Sequence, residues 1–224
     1  MSRTENNWKK EFKRRKAFWA HDGNPRRPHA LLTSGMHSDG YFNSRMIVQD
    51  EKLINEAAVE LIKRFCHNGG KVGEIQLVIG PQTGATRFAE LLADQISFHY
   101  RSECIGISPE KKDVGGKKRM VFTDREKYTL HGAYTLLCDD VISTGESINL
   151  MVETIESSGG AVTFFILSLL NRSGFTDIDG RQIISLVEYP MKTWEPDTCP
   201  LCKLKSEAIR PKGSTEWARL TANY

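Results

Sequence analysis

Residues Tyr134–Leu150 read YTLLCDDVISTGESINL, and this stretch decides how the rest of the chain is interpreted. An apolar run reaches two adjacent acids, Asp139 and Asp140, and passes a turn of small residues at Ser143–Gly145 before a helical pattern begins. Backbone N–H groups at the start of a helix bind anions such as phosphate. Carboxylates accept hydrogen bonds from hydroxyl groups. The stretch therefore predicts a strand, a loop and a helix that together bind a phosphorylated sugar.

Strand and helix patterns alternate on both sides of this stretch, with short connections between them. The expected strands are Gln76–Gly80, Glu103–Ser108, Tyr134–Cys138, Ala161–Leu170 and Gln182–Leu186, and the expected helices are Glu51–Phe65, Phe88–Ile96 and Ser147–Ser157. Such alternation predicts an α/β fold with a parallel sheet and right-handed crossovers. Ligands bind beyond the carboxyl ends of such strands, where the loop after Gly80, the Asp139-Asp140 pair and Arg172 all fall.

The two ends of the chain are expected to form smaller parts beside this core. Residues 1–50 are assigned to an N-terminal helix and a hood, residues 51–190 to the α/β core, and residues 191–224 to a tail packed on the core. The basic segment Asn7–Ala20 has aromatic residues at near-helical spacing, which favours an amphipathic helix on the body or on a partner subunit over a nucleic-acid or membrane arm. Turns follow it, and Tyr41–Val48 has the pattern of a strand.

Composition limits the class of protein. A chain of 224 residues with 39% hydrophobic and 26% charged residues can bury one sizeable core. The net charge of +3 is too small to imply nucleic-acid binding by the whole chain. No apolar run approaches the roughly 20 residues of a membrane span. Five cysteines are an odd number, and three of them have apolar neighbours, which favours a reduced, cytoplasmic protein.

A Cys-x-x-Cys pair, Cys199-Pro-Leu-Cys202, lies in the tail. A structural zinc site needs four ligands, and no second cysteine pair follows. A packed tail turn is therefore the favoured interpretation, and a metal site is the alternative.

The segment 109–128, PEKKDVGGKKRMVFTDREKY, is polar and dense in lysine. It has two interpretations. It is either a solvated hairpin or a mobile cationic loop that closes over a polyanionic substrate.

The string LLCDDVISTGES at 136–147 resembles the phosphoribosyl-diphosphate (PRPP) signature of type I phosphoribosyltransferases. Other segments are similar to the orotate members of that family. HALLTSGMHSDGYFN at 29–43 resembles their hood, GPQTGATRFAELLA at 80–93 their pyrophosphate loop, EKKDVGG at 110–116 their mobile loop and LLNRSG at 169–174 their final strand. CPLC followed by RPKGS at 210–214 is similar to the tail of longer bacterial members, so the resemblance spans most of residues 29–214.

The resemblance implies a Rossmann-like parallel-sheet core with a small hood, and it implies a role for each matching residue. The implied PRPP-binding residues are Thr83, Gly84, Asp139, Asp140, Val141, Ile142, Ser143, Thr144, Gly145, Glu146 and Ser147. The implied base-binding residues are Thr33, Tyr41, Phe42 and Arg172, and the implied catalytic residues are Lys112, Lys111 and Asp113. Mg²⁺ would be held through the ligand's oxygens, with Asp139 or Asp140 as a contact through water. A homodimer is implied, in which Lys112 reaches into the neighbouring subunit's site.

The implied activity is Mg²⁺-dependent transfer of ribose 5-phosphate from PRPP to a base, most simply orotate, giving orotidine 5′-monophosphate and pyrophosphate. Three positions depart from the family's pattern. Thr33 stands where the hood usually has a lysine, Ser108-Pro109 where the mobile loop usually begins with Arg-Lys, and Val114 where it usually has a histidine. Two alternatives therefore stay open: a phosphoribosyltransferase for a purine or uracil, and a regulatory protein that binds PRPP without turnover.

Overall fold

The computed structural model describes residues 3–101, 103–211 and 213–224. Its α-helices are α1 (Glu5–Arg14), α2 (Arg45–Val48), α3 (Glu51–His67), α4 (Thr86–Tyr100), α5 (Asp124–Leu130), α6 (Glu146–Ser157), α7 (Pro200–Lys203) and α8 (Ser214–Thr221). Its strands are β1 (Phe18–Ala20), β2 (His29–Leu31), β3 (His37–Ser38), β4 (Gly40–Phe42), β5 (Leu77–Ile79), β6 (Ile105–Ile107), β7 (Glu110–Val114), β8 (Lys117–Val121), β9 (Tyr134–Ile142), β10 (Ala161–Asn171), β11 (Asp177–Ile178), β12 (Arg181–Glu188), β13 (Thr193–Trp194) and β14 (Ala208–Ile209).

A six-stranded sheet forms the centre of the fold, in the order β11-β12-β10-β9-β5-β6. All its pairs are parallel except the edge pair β11–β12, which confirms the predicted α/β class. Leu136 and Cys138 of β9 pack with α3 and α4 on one face, whereas Leu137 packs with α6 on the other. Burial on both faces explains why the central strands are continuous apolar runs in the sequence.

Strand β9 is longer than predicted. It was expected to end at Cys138, but its parallel pairing with β10 continues through Asp139 to Ile142. The continued pairing with Leu170 and Asn171 of β10 holds the backbone extended past both acids. The two aspartates therefore belong to the strand itself and are positioned by the sheet.

The hood and the tail share a second, four-stranded sheet in the order β13-β3-β2-β14. Its outer strands come from the tail: Trp194 pairs with His37 and Ala208 pairs with His29. The predicted boundary at residue 190 therefore separates strands that lie in one sheet, and the tail joins the hood.

Two expected elements near the N-terminus are wrong in extent. The helix ends at Arg14, because Lys16 takes a left-handed conformation (φ 54°) and β1 follows. The strand expected over Tyr41–Val48 ends at Phe42, where its backbone turns into α2. Trp8 and Phe12 of α1 are nevertheless buried in the main core, as an amphipathic helix on the body requires. Within the described residues, no helix combines the length and apolar character needed to cross a membrane.

Candidate active site at the carboxyl edge of the sheet

Two loops leave adjacent strands of the sheet at the same edge and lead into helices. Residues 80–85 connect β5 to α4, and residues 143–145 connect β9 to α6. In the described chain, the residue before α1, α3 and α5 caps the first turn with its side chain, whereas the residues before α4 and α6 do not. At α6 the Thr144 hydroxyl accepts from the Glu146 N–H alone, at 3.4 Å. The first N–H groups of a helix need a partner. Two open helix starts beside each other can therefore hold two phosphate groups.

The loop before α6 has the geometry of an anion cradle. Gly145 has φ 78°, and a Cβ atom there would lie 3.0 Å from Ile178. A left-handed backbone with little space favours glycine at this position. Asp139 and residues 141–148 line a small cavity around the loop. The residues that the sequence assigned to phosphate binding are therefore brought together in one place.

The two aspartates interact with each other and with the first loop. Burial raises the pKa of Asp139 well above its usual range, and the charge of Asp140 and a hydrogen bond between the two carboxyl groups act in the same direction. A Cβ atom on Gly84 would lie 2.6 Å from both carboxylate oxygens of Asp140. Asp140 thus packs directly on the loop between β5 and α4. Two carboxyl groups held this close favour hydroxyl donors or a cation between them.

The first loop is fixed to the neighbouring strand. The Gln82 side chain donates to the carbonyl of Ser108 at 2.8 Å, and its backbone N–H donates to the carbonyl of Pro109 at 3.0 Å. Thr83 at its tip is exposed, and Gly84 is half-buried. Ser108 and Pro109, which depart from the family pattern, therefore support this loop through their backbone carbonyls.

The lysine-rich segment is an antiparallel hairpin, β7–β8, with Gly115 and Gly116 in its turn at φ 63° and 78°. Lys111 lies 2.6 Å from Glu146 and 3.4 Å from the Ser147 hydroxyl. Lys118 lies 3.0 Å from the other oxygen of Glu146. Both lysines lower the pKa of Glu146. The hairpin thus lies against the start of α6 in its own chain.

The other two residues assigned to catalysis lie elsewhere on the hairpin. Lys112, on the opposite face of β7 from Lys111, is half-exposed and forms an ion pair with Glu110 at 2.9 Å. Asp113 accepts a hydrogen bond from the Gly116 N–H at 2.8 Å, so it stabilises the hairpin turn. Of the three residues, Lys111 is the one that contacts the start of α6, next to the loop at residues 143–145 (the phosphate loop).

The hood places Tyr41 but not Phe42 toward the site. Tyr41 is half-buried, and burial first and the charge of Asp140 second raise the pKa of its hydroxyl. Phe42 is 4% exposed and packs on Phe12 with ring centroids 5.0 Å apart. Adjacent strand residues point to opposite faces, so these two rings cannot flank one base. The assignment of Phe42 to the base is therefore wrong, and Phe42 is a core residue.

Arg172 connects the end of β10 to the hood. Its side chain is buried, and Nη2 donates to the Ser38 hydroxyl at 2.6 Å. Burial lowers the pKa of the guanidinium, while the charges of Asp39 and Tyr41 act against that shift. A buried cation beside Tyr41 is suited to a polar or anionic group of a ligand.

Thr33 lies in a cleft of the hood that the tail completes. The cleft is lined by Leu31, Leu32, Thr33, Tyr41, Arg210 and Pro211. Sequence reasoning compared the RPKGS segment with a family tail but gave Arg210 no role, since nothing in a linear sequence shows that β14 pairs with β2. Lys212 of that segment lies outside the described residues.

Proteins of known name are similar to this chain in sequence. The chain is 30% identical over 183 residues to the orotate phosphoribosyltransferase of Caldicellulosiruptor bescii. The aligned region covers 82% of this chain and 87% of that relative. The chain belongs to the orotate phosphoribosyltransferase family. No protein-family profile matches it.

Solved structures of the family have the same fold. The orotate phosphoribosyltransferase from Aeropyrum pernix superposes with a TM-score of 0.57 at 25% identity, over 80% of this chain and 92% of that one. The adenine phosphoribosyltransferase from Thermoanaerobacter pseudethanolicus superposes with a TM-score of 0.50 at 19% identity, over 67% of this chain and 88% of that one. The second likeness concerns the fold alone. It is consistent with a type I phosphoribosyltransferase core.

Proposed function

We propose that this protein transfers ribose 5-phosphate from PRPP to orotate in pyrimidine synthesis, forming orotidine 5′-monophosphate and releasing pyrophosphate. The observation that carries the proposal is the pair Asp139 and Asp140 at the edge of the sheet, with the open starts of α4 and α6 on either side. In this proposal, one start binds the 5′-phosphate and the other binds the pyrophosphate. The carboxylates between them accept the ribose hydroxyls.

The reaction forms a bond from a base nitrogen to C1 of the ribose and breaks the bond from C1 to the pyrophosphate oxygen. Positive charge develops on the sugar and negative charge on the leaving group. Donors fixed before the reaction stabilise that charge most effectively. The N–H groups of residues 143–147 hold the 5′-phosphate, and Thr83 and Gly84 contact the pyrophosphate. No protein nucleophile is needed.

The lysine hairpin supplies cations for the phosphate groups. Lys111 is held 2.6 Å from Glu146 beside the phosphate loop, so it can exchange this partner for the 5′-phosphate of bound PRPP. Lys112 faces away from that loop and forms its ion pair with Glu110 in its own chain. We assign Lys112 to the leaving pyrophosphate, in the site of a second subunit of a homodimer.

Asp139 and Asp140 also fit a Mg²⁺ ion bound together with PRPP. The pKa of Asp139 is raised because its position is buried and because two ionised carboxylates this close repel each other there. A cation between them would reduce that repulsion and favour the ionised forms. Mg²⁺ keeps most of its waters and prefers carboxylate and phosphate oxygens. When bound, it neutralises charge on the pyrophosphate. The chain's own part is to hold the two carboxyl groups in position on β9.

The base lies between the hood and the end of β10 in this proposal. Tyr41 contacts its face, and Arg172 faces its polar edge, where orotate has a carboxylate. Thr33 and Arg210 line a cleft that Tyr41 also lines. We place the enzyme in the cytoplasm, since none of its five cysteines, all of them among the described residues, lies in a disulfide bond, as expected in a reducing compartment.

The test compares Asp140→Asn with Asp124→Asn. Both changes remove one carboxylate, but Asp124 is an exposed residue of α5 whose carboxylate lies 3.3 Å from Lys127. With PRPP, Mg²⁺ and orotate, Asp140→Asn should lower kcat/KM by a factor of about 100 or more, and Asp124→Asn should leave it within about twofold. Equal activity of the two variants would show that Asp140 does not hold the ribose.

A further inference from the structure

Four side chains that bind transition metals converge on one face of the hood sheet. They are His29 of β2, His37 of β3, and Cys199 and Cys202 at the start of α7. Their ligand atoms all lie within 4.8 Å of one another. Three of the four residues are buried, and Cys202 is half-buried. The group lies on the hood sheet, apart from the aspartates of the active site.

The sheet itself brings these residues together. Ala30 pairs with Ser38 across antiparallel strands, which places His29 and His37 diagonally on the same face. The chain then crosses that face between β13 and β14, since β13 pairs with β3 and β14 pairs with β2. Cys199 and Cys202 lie in this crossing segment. The histidines are therefore the second ligand pair that the sequence did not reveal.

The spacing of the ligand atoms matches a tetrahedral site. His29 Nε2 lies 3.0 Å from His37 Nδ1 and 3.6 Å from each of the two sulfurs. Cys202 Sγ lies 3.2 Å from His37 Nδ1. Bond lengths of about 2.05 Å to nitrogen and about 2.3 Å to sulfur place tetrahedral ligands about 3.3 Å apart for two nitrogens and about 3.6 Å for nitrogen and sulfur. The four atoms thus surround a space of the size of one bound ion.

A hydrogen-bond chain fixes the direction in which His29 presents its lone pair. The Ser206 hydroxyl donates to the carbonyl of Arg27 at 2.6 Å. Its single proton is thereby used, so it accepts from His29 Nδ1–H at 2.9 Å. The unprotonated Nε2 of His29 then faces the two sulfurs and His37. A ligand histidine held by a hydrogen bond on its other nitrogen is typical of built metal sites.

We propose that His29, His37, Cys199 and Cys202 bind one Zn²⁺ ion as a closed, structural site. Two thiolates and two imidazoles are a donor set that zinc prefers, in tetrahedral geometry. All four positions are filled by the protein, which leaves none for a substrate. This site is separate in place and in chemistry from the oxygen-lined site proposed for Mg²⁺.

Bound zinc would join the tail to the hood beside the cleft that contains Thr33, Tyr41 and Arg210. His37 immediately precedes Ser38, which accepts the hydrogen bond from Arg172. The segment that contains Cys199 and Cys202 leads through β14 to Arg210, which lines the cleft with Thr33. Release of the metal should therefore increase the mobility of the residues that line this cleft more than the mobility of the phosphate loop in the core.

The test measures metal binding by the 224-residue chain. Protein produced with zinc in the medium should contain one Zn²⁺ per chain, and metal-free protein titrated with Co²⁺ should give the intense absorption of a tetrahedral thiolate complex. Cys202→Ser should lose both signals. The control is Cys66→Ser, another half-buried cysteine, whose sulfur lies 3.2 Å from the Tyr100 hydroxyl far from the cluster, and it should keep both.

Ser206→Ala keeps all four ligands and should weaken zinc affinity about 10- to 100-fold. If Cys202→Ser does not fold, Ser206→Ala still tests the site, because it retains all four ligands. Folded wild-type protein that takes up neither Zn²⁺ nor Co²⁺ would overturn the proposal. So would a titration of thiols showing Cys199 and Cys202 joined in a disulfide, or metal binding that Cys199→Ser and Cys202→Ser leave unchanged.

Discussion

Replacement of Gly84 by alanine tests how the two loops of the active site depend on each other. The added Cβ atom would lie 2.6 Å from both carboxylate oxygens of Asp140, whereas ordinary contact begins at about 3.4 Å. One of the two groups must therefore move by about 0.8 Å, the difference between these distances. The Asp140 carboxyl is the end of a side chain that can rotate, so the cost in folding should stay near 1 kcal/mol, the low end for overpacking.

The effect on activity should be much larger. Because a misplacement of about 1 Å in an active site can cost about 10²-fold in rate, kcat/KM for PRPP should fall about 100-fold. Gly73→Ala is the matched control, since a Cβ atom there would meet nothing within 4 Å and Gly73 has no left-handed backbone. Steady-state rates and urea unfolding of both variants supply the two measurements.

A double-mutant cycle identifies the group that moves. If Gly84→Ala acts by displacing Asp140, it should have little further effect in an Asp140→Asn protein, because residues in contact are not additive. Independent, additive losses would mean that the Gly84 backbone acts on the substrate without Asp140. Activity of Gly84→Ala within twofold of Gly73→Ala would refute the reasoning altogether.

Three further predictions concern the lysine hairpin, the hood and the aspartate pair. Lys111→Ala should mainly raise KM for PRPP, whereas Lys112→Ala should mainly lower kcat and leave the affinity for PRPP unchanged. Steady-state kinetics and calorimetry measure these quantities, and the reverse pattern would exchange the roles of the two lysines. Phe42→Ala should lower the free energy of unfolding, measured in urea, by about 3–5 kcal/mol. A loss below about 1 kcal/mol together with a large rise in KM for orotate would show that Phe42 contacts the base after all. Burial and Asp140 raise the pKa of Asp139, so the folded protein retains this proton to higher pH than the unfolded chain. Asp139→Asn should therefore be more stable than the parent around pH 8, with a gain that shrinks toward pH 4, and a gain independent of pH would argue against a raised pKa.

The core and its phosphate loops were predictable because their signals are local. A buried parallel strand reads as a continuous apolar run, and the small residues at Ser143–Gly145 mark the loop wherever the strand lies in the sheet. The exact end of β9 was not predictable in this way. It depends on pairing with β10, which stabilises an extended backbone through two acidic residues.

The hood was less accessible to sequence reasoning because its contacts join distant segments. Tyr41 and Phe42 look alike in sequence, but the position of α1 decides that Phe42 is buried. In the same way, Cys199 lies about 160 residues from His37 and meets it because tail strands flank hood strands. Short strands of two or three residues have little periodicity from which such pairing could be inferred.

The most direct test of the central claim is a panel of bases at fixed PRPP and Mg²⁺, in which pyrophosphate release and nucleotide formation are both measured. Orotate should be converted, and uracil, which lacks the carboxylate that Arg172 is proposed to face, should react with kcat/KM lower by about 10⁴-fold. Adenine and guanine should not react. Turnover of uracil or a purine in preference to orotate, or PRPP binding without turnover of any base, would contradict the account.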